Sequence, residues 1–204
     1  MNSLPASTPN NHKPGSASAA GGSGPASLSG ALLFEVSWEA CAQVGGIYTV
    51  LRSKAPATVR RWKDAYCLIG PYREASANIE LEPHTPPSPL CEAVGELKAA
   101  GLRMHFGRWL ITGRPQVLLI DTSAVSPRLA EIKYSLWKDN GIASPPGDAE
   151  FDEVVGFGSV VTELLTALLR CAPRCALLAH FHEWQGAAAL PMLRHRRAPV
   201  ATVF

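Results

Sequence analysis

The sequence predicts an α/β protein, a parallel sheet flanked by helices, and three observations carry that prediction. Short apolar runs, the mark of strands buried on both faces, recur along the chain. Between them lie segments whose apolar residues are spaced three and four apart, the period of a helix. Of the 204 residues 47% are hydrophobic and 18% charged, with a net charge of +2, which describes a folded chain. That balance excludes the strong basic field of a dedicated nucleic-acid binder.

Residues 1–30 are mostly Pro, Gly, Ser and Ala and cannot bury enough apolar surface to offset their ordering entropy, so a disordered tail is expected there. Residues 31–204 form the predicted domain. Ala31–Val36 reads as a buried strand and Gly45-Gly46 as the turn after it. Ile47, Val50, Leu51 and Lys54 share one helical face, and Pro56 is expected to end or kink that helix. Tyr66–Ile69 is a second strand, stopped by Gly70-Pro71. Residues 83–89 hold four prolines and read as a surface loop. Leu102–Trp109 and Val117–Ile120 are strand-like. Leu129, Ile132 and Leu136 form a helical stripe ending near Asn140-Gly141. Val154, Val161, Leu165 and Leu168 form a longer one, entered through Pro145-Pro146-Gly147-Asp148. Ala176–Phe181 is a strand, Gly186–Leu193 a helix, and Val200–Phe204 another strand, inside which the chain stops; the sequence is therefore expected to be incomplete.

No apolar run reaches the ~18 residues needed to cross a bilayer, and the first thirty residues hold no secretory apolar core. No membrane association is expected, and the cytoplasm is the expected compartment. The cysteines Cys41, Cys67, Cys91, Cys171 and Cys175 are odd in number and irregularly spaced, which reads as reduced, mostly buried thiols.

In a parallel sheet ligands sit beyond the carboxyl ends of the strands, which directs attention to the loops after Val36, Ile69, Ile120 and Phe181. The Val44-Gly45-Gly46 loop opens a helix, where unpaired N–H groups and the positive dipole end suit a diphosphate; a plain structural turn is the competing reading. It matches neither the dinucleotide fingerprint nor the P-loop. His180-Phe181-His182-Glu183-Trp184 closes a strand with both histidines on one face. A metal pair, a polar sugar-binding edge and satisfied structural histidines all remain open; the metal reading lacks a third ligand, since His84, His105 and His195 fall in no motif with it. Arg108, between Phe106 and Trp109, is expected in a structural ion pair rather than on a phosphate. Asp148, Glu150, Asp152 and Glu153 read as helix-start acids, and Arg194-His195-Arg196-Arg197 as a solvated helix end. The Cys171–Cys175 spacing is neither redox nor zinc spacing.

Several of these segments together resemble one family. Phe34-Glu35-Val36-Ser37-Trp38-Glu39 followed by Val44-Gly45-Gly46-Ile47-Tyr48-Thr49-Val50-Leu51 is similar to the amino-terminal signature of eukaryotic (animal and fungal) glycogen synthases. Leu68-Ile69-Gly70-Pro71-Tyr72, Phe106-Gly107-Arg108-Trp109-Leu110-Ile111 and Ala179-His180-Phe181-His182-Glu183-Trp184 continue the match in the family's order, over residues 31–204. The resemblance implies the amino-terminal, Rossmann-like half of a GT-B glycosyltransferase. The implied reaction is retaining transfer of glucose from UDP-glucose to the 4-hydroxyl at the non-reducing end of an α-1,4-glucan. It implies UDP-glucose contacts at Gln43, Val44, Gly45 and Gly46, and a sugar or acceptor edge at His182 and Glu183. No cofactor and no metal are implied, and the full-length enzyme could form homo-oligomers. No catalytic residue is assigned within these residues, because the family's active-site histidine follows the last strand in a Thr-Thr-His segment and most donor contacts come from the carboxyl-terminal domain. This chain alone is thus expected to be inactive. Gln43 stands where the family commonly carries Lys or Arg, so it brings a donor hydrogen but no charge to the phosphates. A non-catalytic glucan-binding or synthase-docking protein is the alternative, and a metal-dependent hydrolase built on His180, His182 and Glu183 a third.

Overall fold

The computed structural model describes Met1 and residues 30–204. The tail expected over residues 1–30 lies, its two ends apart, outside the described residues. Strands β1 (Ala31–Val36), β2 (Tyr66–Pro71), β3 (Leu81–Pro83), β4 (Arg103–Trp109), β5 (Gln116–Asp121), β6 (Ala176–Phe181) and β7 (Val200–Val203) form one sheet in the order β3-β4-β5-β2-β1-β6-β7. β5, β2, β1, β6 and β7 run parallel, as the apolar runs predict. β3 and β4 do not. The link from β4 to β5 is a short turn through Gly113 and Pro115, and a parallel pair would need a crossover of a dozen or more residues, so the chain can only fold back on itself. The sheet is therefore mostly parallel with an antiparallel edge.

Helices cover both faces. α1 (Ile47–Trp62) and α2 (Glu74–Glu80) pack on one, where Tyr48, Leu51 and Ala77 meet Tyr66, Leu68, Trp109, Val117 and Leu119. α3 (Leu90–Ala99), α4 (Leu129–Asn140), α5 (Ala149–Cys171), α6 (Glu183–Ala187) and α7 (Leu190–His195) lie on the other, over Phe34, Val36, Ile69, Leu118, Ile120 and Phe181. Alternation along each strand thus sends Phe34 and Val36 to α5 and leaves Glu35 facing α1. α5 begins as expected, with Asp148 Oδ1 accepting the Phe151 N–H at 2.9 Å. On length and composition α5 could cross a bilayer, but Val154–Leu168 form the centre of the core.

Three further elements depart from the sequence reading. α1 runs straight through Pro56 to Trp62. Proline removes one helical bond, and the carbonyl it orphans belongs to Arg52, which is exposed to water, while Leu51 and Ala55 stay buried on either flank of the contact face. α3 was hidden by the prolines before it, although Leu90, Ala93, Val94 and Leu97 are at helical spacing and buried. The single helix expected over 186–193 is two, starting at Glu183 and restarting at Leu190 with Pro191 in its first turn, where a missing N–H costs nothing. Among the cysteines, Cys41 and Cys67 are buried, Cys171 and Cys175 half-buried and Cys91 exposed, all as free thiols.

Candidate functional site

The strand order reverses direction at β1. From β1 the sheet grows one way through β2 and the other way through β6, and the two loops leave towards opposite faces, opening a crevice at the carboxyl ends of both strands. Val36 and Phe181 are paired in register, so the loop after β1 and the turn after β6 begin side by side. The His182 N–H donates to the Val36 carbonyl at 3.0 Å. Gly186 sits so close that a Cβ there would lie 2.8 Å from the same carbonyl oxygen, which presses α6 onto the end of β1.

The first lip is residues 37–46. The Ser37 N–H donates to the Ile69 carbonyl at 2.9 Å, and the chain turns through Cys41, a non-glycine residue at φ 59°. Gln43, Val44, Gly45 and Gly46 are all exposed, and a Cβ on Gly46 would meet nothing within 4 Å. The buried carboxylate of Glu39 lies behind them: Oε2 accepts the Gly45 N–H at 2.8 Å and the Tyr48 N–H at 2.9 Å. Gly46, the residue at the cap position of α1, has no side chain to offer, and Glu39 serves the helix start from seven residues upstream. Sequence reasoning passed over Glu39; the available signal was an acid just ahead of a helix start that lacks a capping side chain.

The second lip is His180–Trp184. As the alternation required, His180 and His182 share a face, their ring centroids 4.3 Å apart. Both turn towards Glu35 of β1, which is 1% exposed. His182 Nε2 lies 2.5 Å from Glu35 Oε1 and His180 Nδ1 3.6 Å from it. Lys54 of α1 pairs with the same oxygen, and the Tyr66 hydroxyl donates to Oε2. Burial alone would raise the pKa of Glu35, but hydrogen bonds from His182, Lys54 and Tyr66 and the charge of Lys54 outweigh it, holding the pKa at about 2. An ionised carboxylate only accepts, so Nε2 of His182 carries a proton. Burial and the neighbouring His182 push His180 below its ordinary range, and burial with the Glu35 charge pushes Tyr66 up. Glu183 begins α6 at φ 55°, a left-handed backbone rarely adopted outside glycine, and is exposed; Trp184 beside it is half exposed.

Glu35 is thus the partner that spacing could not supply, 147 residues before His182. Ligand atoms of Glu35, His180 and His182 lie within 4.8 Å of one another, the third ligand the metal reading lacked. The set fits a divalent ion poorly, because the Lys54 ammonium already holds the shared oxygen and His182 stands at hydrogen-bonding, not co-ligating, distance from it.

The remaining candidates lie elsewhere. Arg108 pairs with Asp64 at 3.2 Å, the ion pair expected of it. His105 stacks on Tyr72 with centroids 3.9 Å apart, and His195, at the basic end of α7, lies 3.5 Å from Asp139.

The glycogen synthase family model matches residues 35–204. The chain is 42% identical over 174 residues to a "Glycogen [starch] synthase" of Neurospora crassa, covering 85% of the chain and 25% of that protein. It is 40% identical over 174 residues to the liver form of Rattus norvegicus, with the same coverage. Isoform 2 of Saccharomyces cerevisiae is 40% identical over 182 residues, 26% of its length. The chain thus spans about a quarter of the curated relatives it matches.

Proposed function

The chain belongs to the glycogen synthase family, and from that membership we propose that its sheet is one wall of a GT-B cleft in which glucose passes from UDP-glucose to the 4-hydroxyl of an α-1,4-glucan. The observation that supports this most is that the segments carrying Gln43–Gly46 and His182–Glu183 follow the paired strands β1 and β6, at the point where the strand order reverses. Departure of UDP builds negative charge on the diphosphate and oxocarbenium character on the sugar. The open helix-start amides of α1 face the first, and the polar edge at His182 and Glu183 faces the second. With Nε2 committed to Glu35, Nδ1 of His182 is the nitrogen left to meet a sugar hydroxyl. The step needs no metal if protein cations neutralise the phosphates. Gln43 supplies none, so the opposite wall must, and these residues alone are expected to transfer no glucose. A cytoplasmic location belongs to the same reading.

The test uses a full-length enzyme carrying this amino-terminal sequence. Glu183→Ala, exposed and free of packing, should lower kcat for glucosyl transfer by at least about tenfold with an unchanged unfolding curve. Unchanged turnover would remove Glu183 from the site. Gln43→Lys should lower KM for UDP-glucose; an unaltered KM would place residue 43 away from the phosphates.

A further inference from the structure

Part of the glycine loop is already in use before any ligand arrives. Glu39 is buried, and its own N–H donates to Ser37 Oγ at 3.2 Å while its carbonyl accepts the Ala42 N–H at 3.3 Å. Its side chain turns back across the loop to take the N–H groups of Gly45 and Tyr48. No cation pairs with this carboxylate among the described residues, so backbone amides and the helix dipole alone offset its charge. A Cβ on Gly45 would stand 3.0 Å from Glu39 Oε1, which explains a glycine there. The N–H groups of Gly46 and Ile47, by contrast, have no partner among the described residues, and the space over Gly46 is open.

We propose that Glu39 is the positioning residue of the glycine loop: it reserves the Gly45 and Tyr48 amides for itself and leaves those of Gly46 and Ile47 as the pair that meets a donor phosphate. The proposal rests on the donor-site reading above. Two consequences follow from charge. The loop is set before the donor arrives, so binding does not have to order it. A fixed anion behind the amides also repels an incoming diphosphate, so a cation at position 43, beside the loop's mouth, changes donor affinity more than its exposure alone would suggest.

Amide hydrogen exchange by nuclear magnetic resonance on the chain itself decides the point. The Gly45 and Tyr48 amides should exchange more slowly than those of Gly46 and Ile47. Glu39→Ala should speed the first pair by about tenfold or more while sheet amides such as Leu68 and Leu118 keep their protection, and Glu39→Gln, whose amide oxygen still accepts, should restore most of the slowing. Equal exchange of all four in the unaltered chain would overturn the clamp. Should Glu39→Ala fail to fold, Glu39→Asp serves instead: the carboxylate, one methylene shorter, should lose reach and speed exchange at Gly45 and Tyr48, and unchanged exchange would overturn the contact. In the full-length enzyme carrying this amino-terminal sequence, where the opposite wall supplies its own donor contacts, added UDP should move Gly46 and Ile47 and leave Gly45 and Tyr48 protected. UDP that strips protection from Gly45 and Tyr48 overturns the positioning role, because the phosphate has then displaced the carboxylate. UDP that moves none of the four overturns the donor-site reading, and the role with it, while the exchange result still decides the clamp.

Discussion

At the end of β1 the crevice is lined with backbone: exposed glycines, open amides and side chains that touch little. At the end of β6 it is lined with polar side chains: two imidazoles, a lysine and a tyrosine gathered on the single buried carboxylate of Glu35. The first lip keeps its shape through local hydrogen bonds, so its outward side chains can change at little cost to stability. The second depends on one side chain contributed by another strand, so its shape and the stability of the fold are the same matter. The lips are not independent, however, because Glu35 binds Lys54 on the helix that follows the first and His182 at the head of the second.

The largest effect should come from removing that carboxylate. Glu35→Ala leaves Lys54, His182 and Tyr66 without their shared partner and should cost about 3–5 kcal/mol in urea unfolding. Gln43→Ala at the other lip should stay within about 0.5 kcal/mol. Comparable losses at both positions would erase the contrast.

Acid should reveal the same asymmetry. The folded pKa of Glu35 lies at about 2, below its ordinary 4.5. Its contribution, on the order of 3 kcal/mol, is therefore present above pH 4.5 and lost as the pH falls towards 2. Stability curves for Glu35→Gln and the unaltered chain should converge across that interval. If the gap between them is constant from pH 5 to pH 2, Glu35 does not titrate as the geometry requires.

The glycines sharpen the comparison at smaller scale. Gly186→Ala drives a methyl against the Val36 carbonyl and should cost roughly 1–3 kcal/mol. Gly46→Ala meets open space and should cost less than about 1 kcal/mol in thermal unfolding. Reversed magnitudes would mean that the tight contact lies at the other lip.

How much of this was legible in the sequence follows the range of each interaction. The parallel core was readable because Leu68-Ile69 and Val117–Ile120 are apolar without interruption, as strands buried on both faces must be. The edge at β3 and β4 was not, because strand direction is set by connection length and pairing partner rather than by residue pattern. The shared face of His180 and His182 followed from a period of two. Glu35 as their partner could not follow from any local rule, since only the pairing of β1 with β6 brings it there. Glu39 is the intermediate case: its contacts span six and nine residues, within reach of sequence reasoning about a helix start that lacks a capping side chain. Pro56 misled because a proline's effect depends on whether water reaches the carbonyl it orphans, and exposure is a property of the fold.

The claim at the centre of this account is that the two lips are held as one unit through Glu35, and a double-mutant cycle on Lys54→Met and His182→Asn measures it directly. Removing either partner changes what Glu35 can offer the other, so the two losses in urea unfolding should depart from additivity by about 1 kcal/mol or more. Losses that add to within about 0.3 kcal/mol would show that the glycine-loop helix and the His–Glu turn are anchored separately.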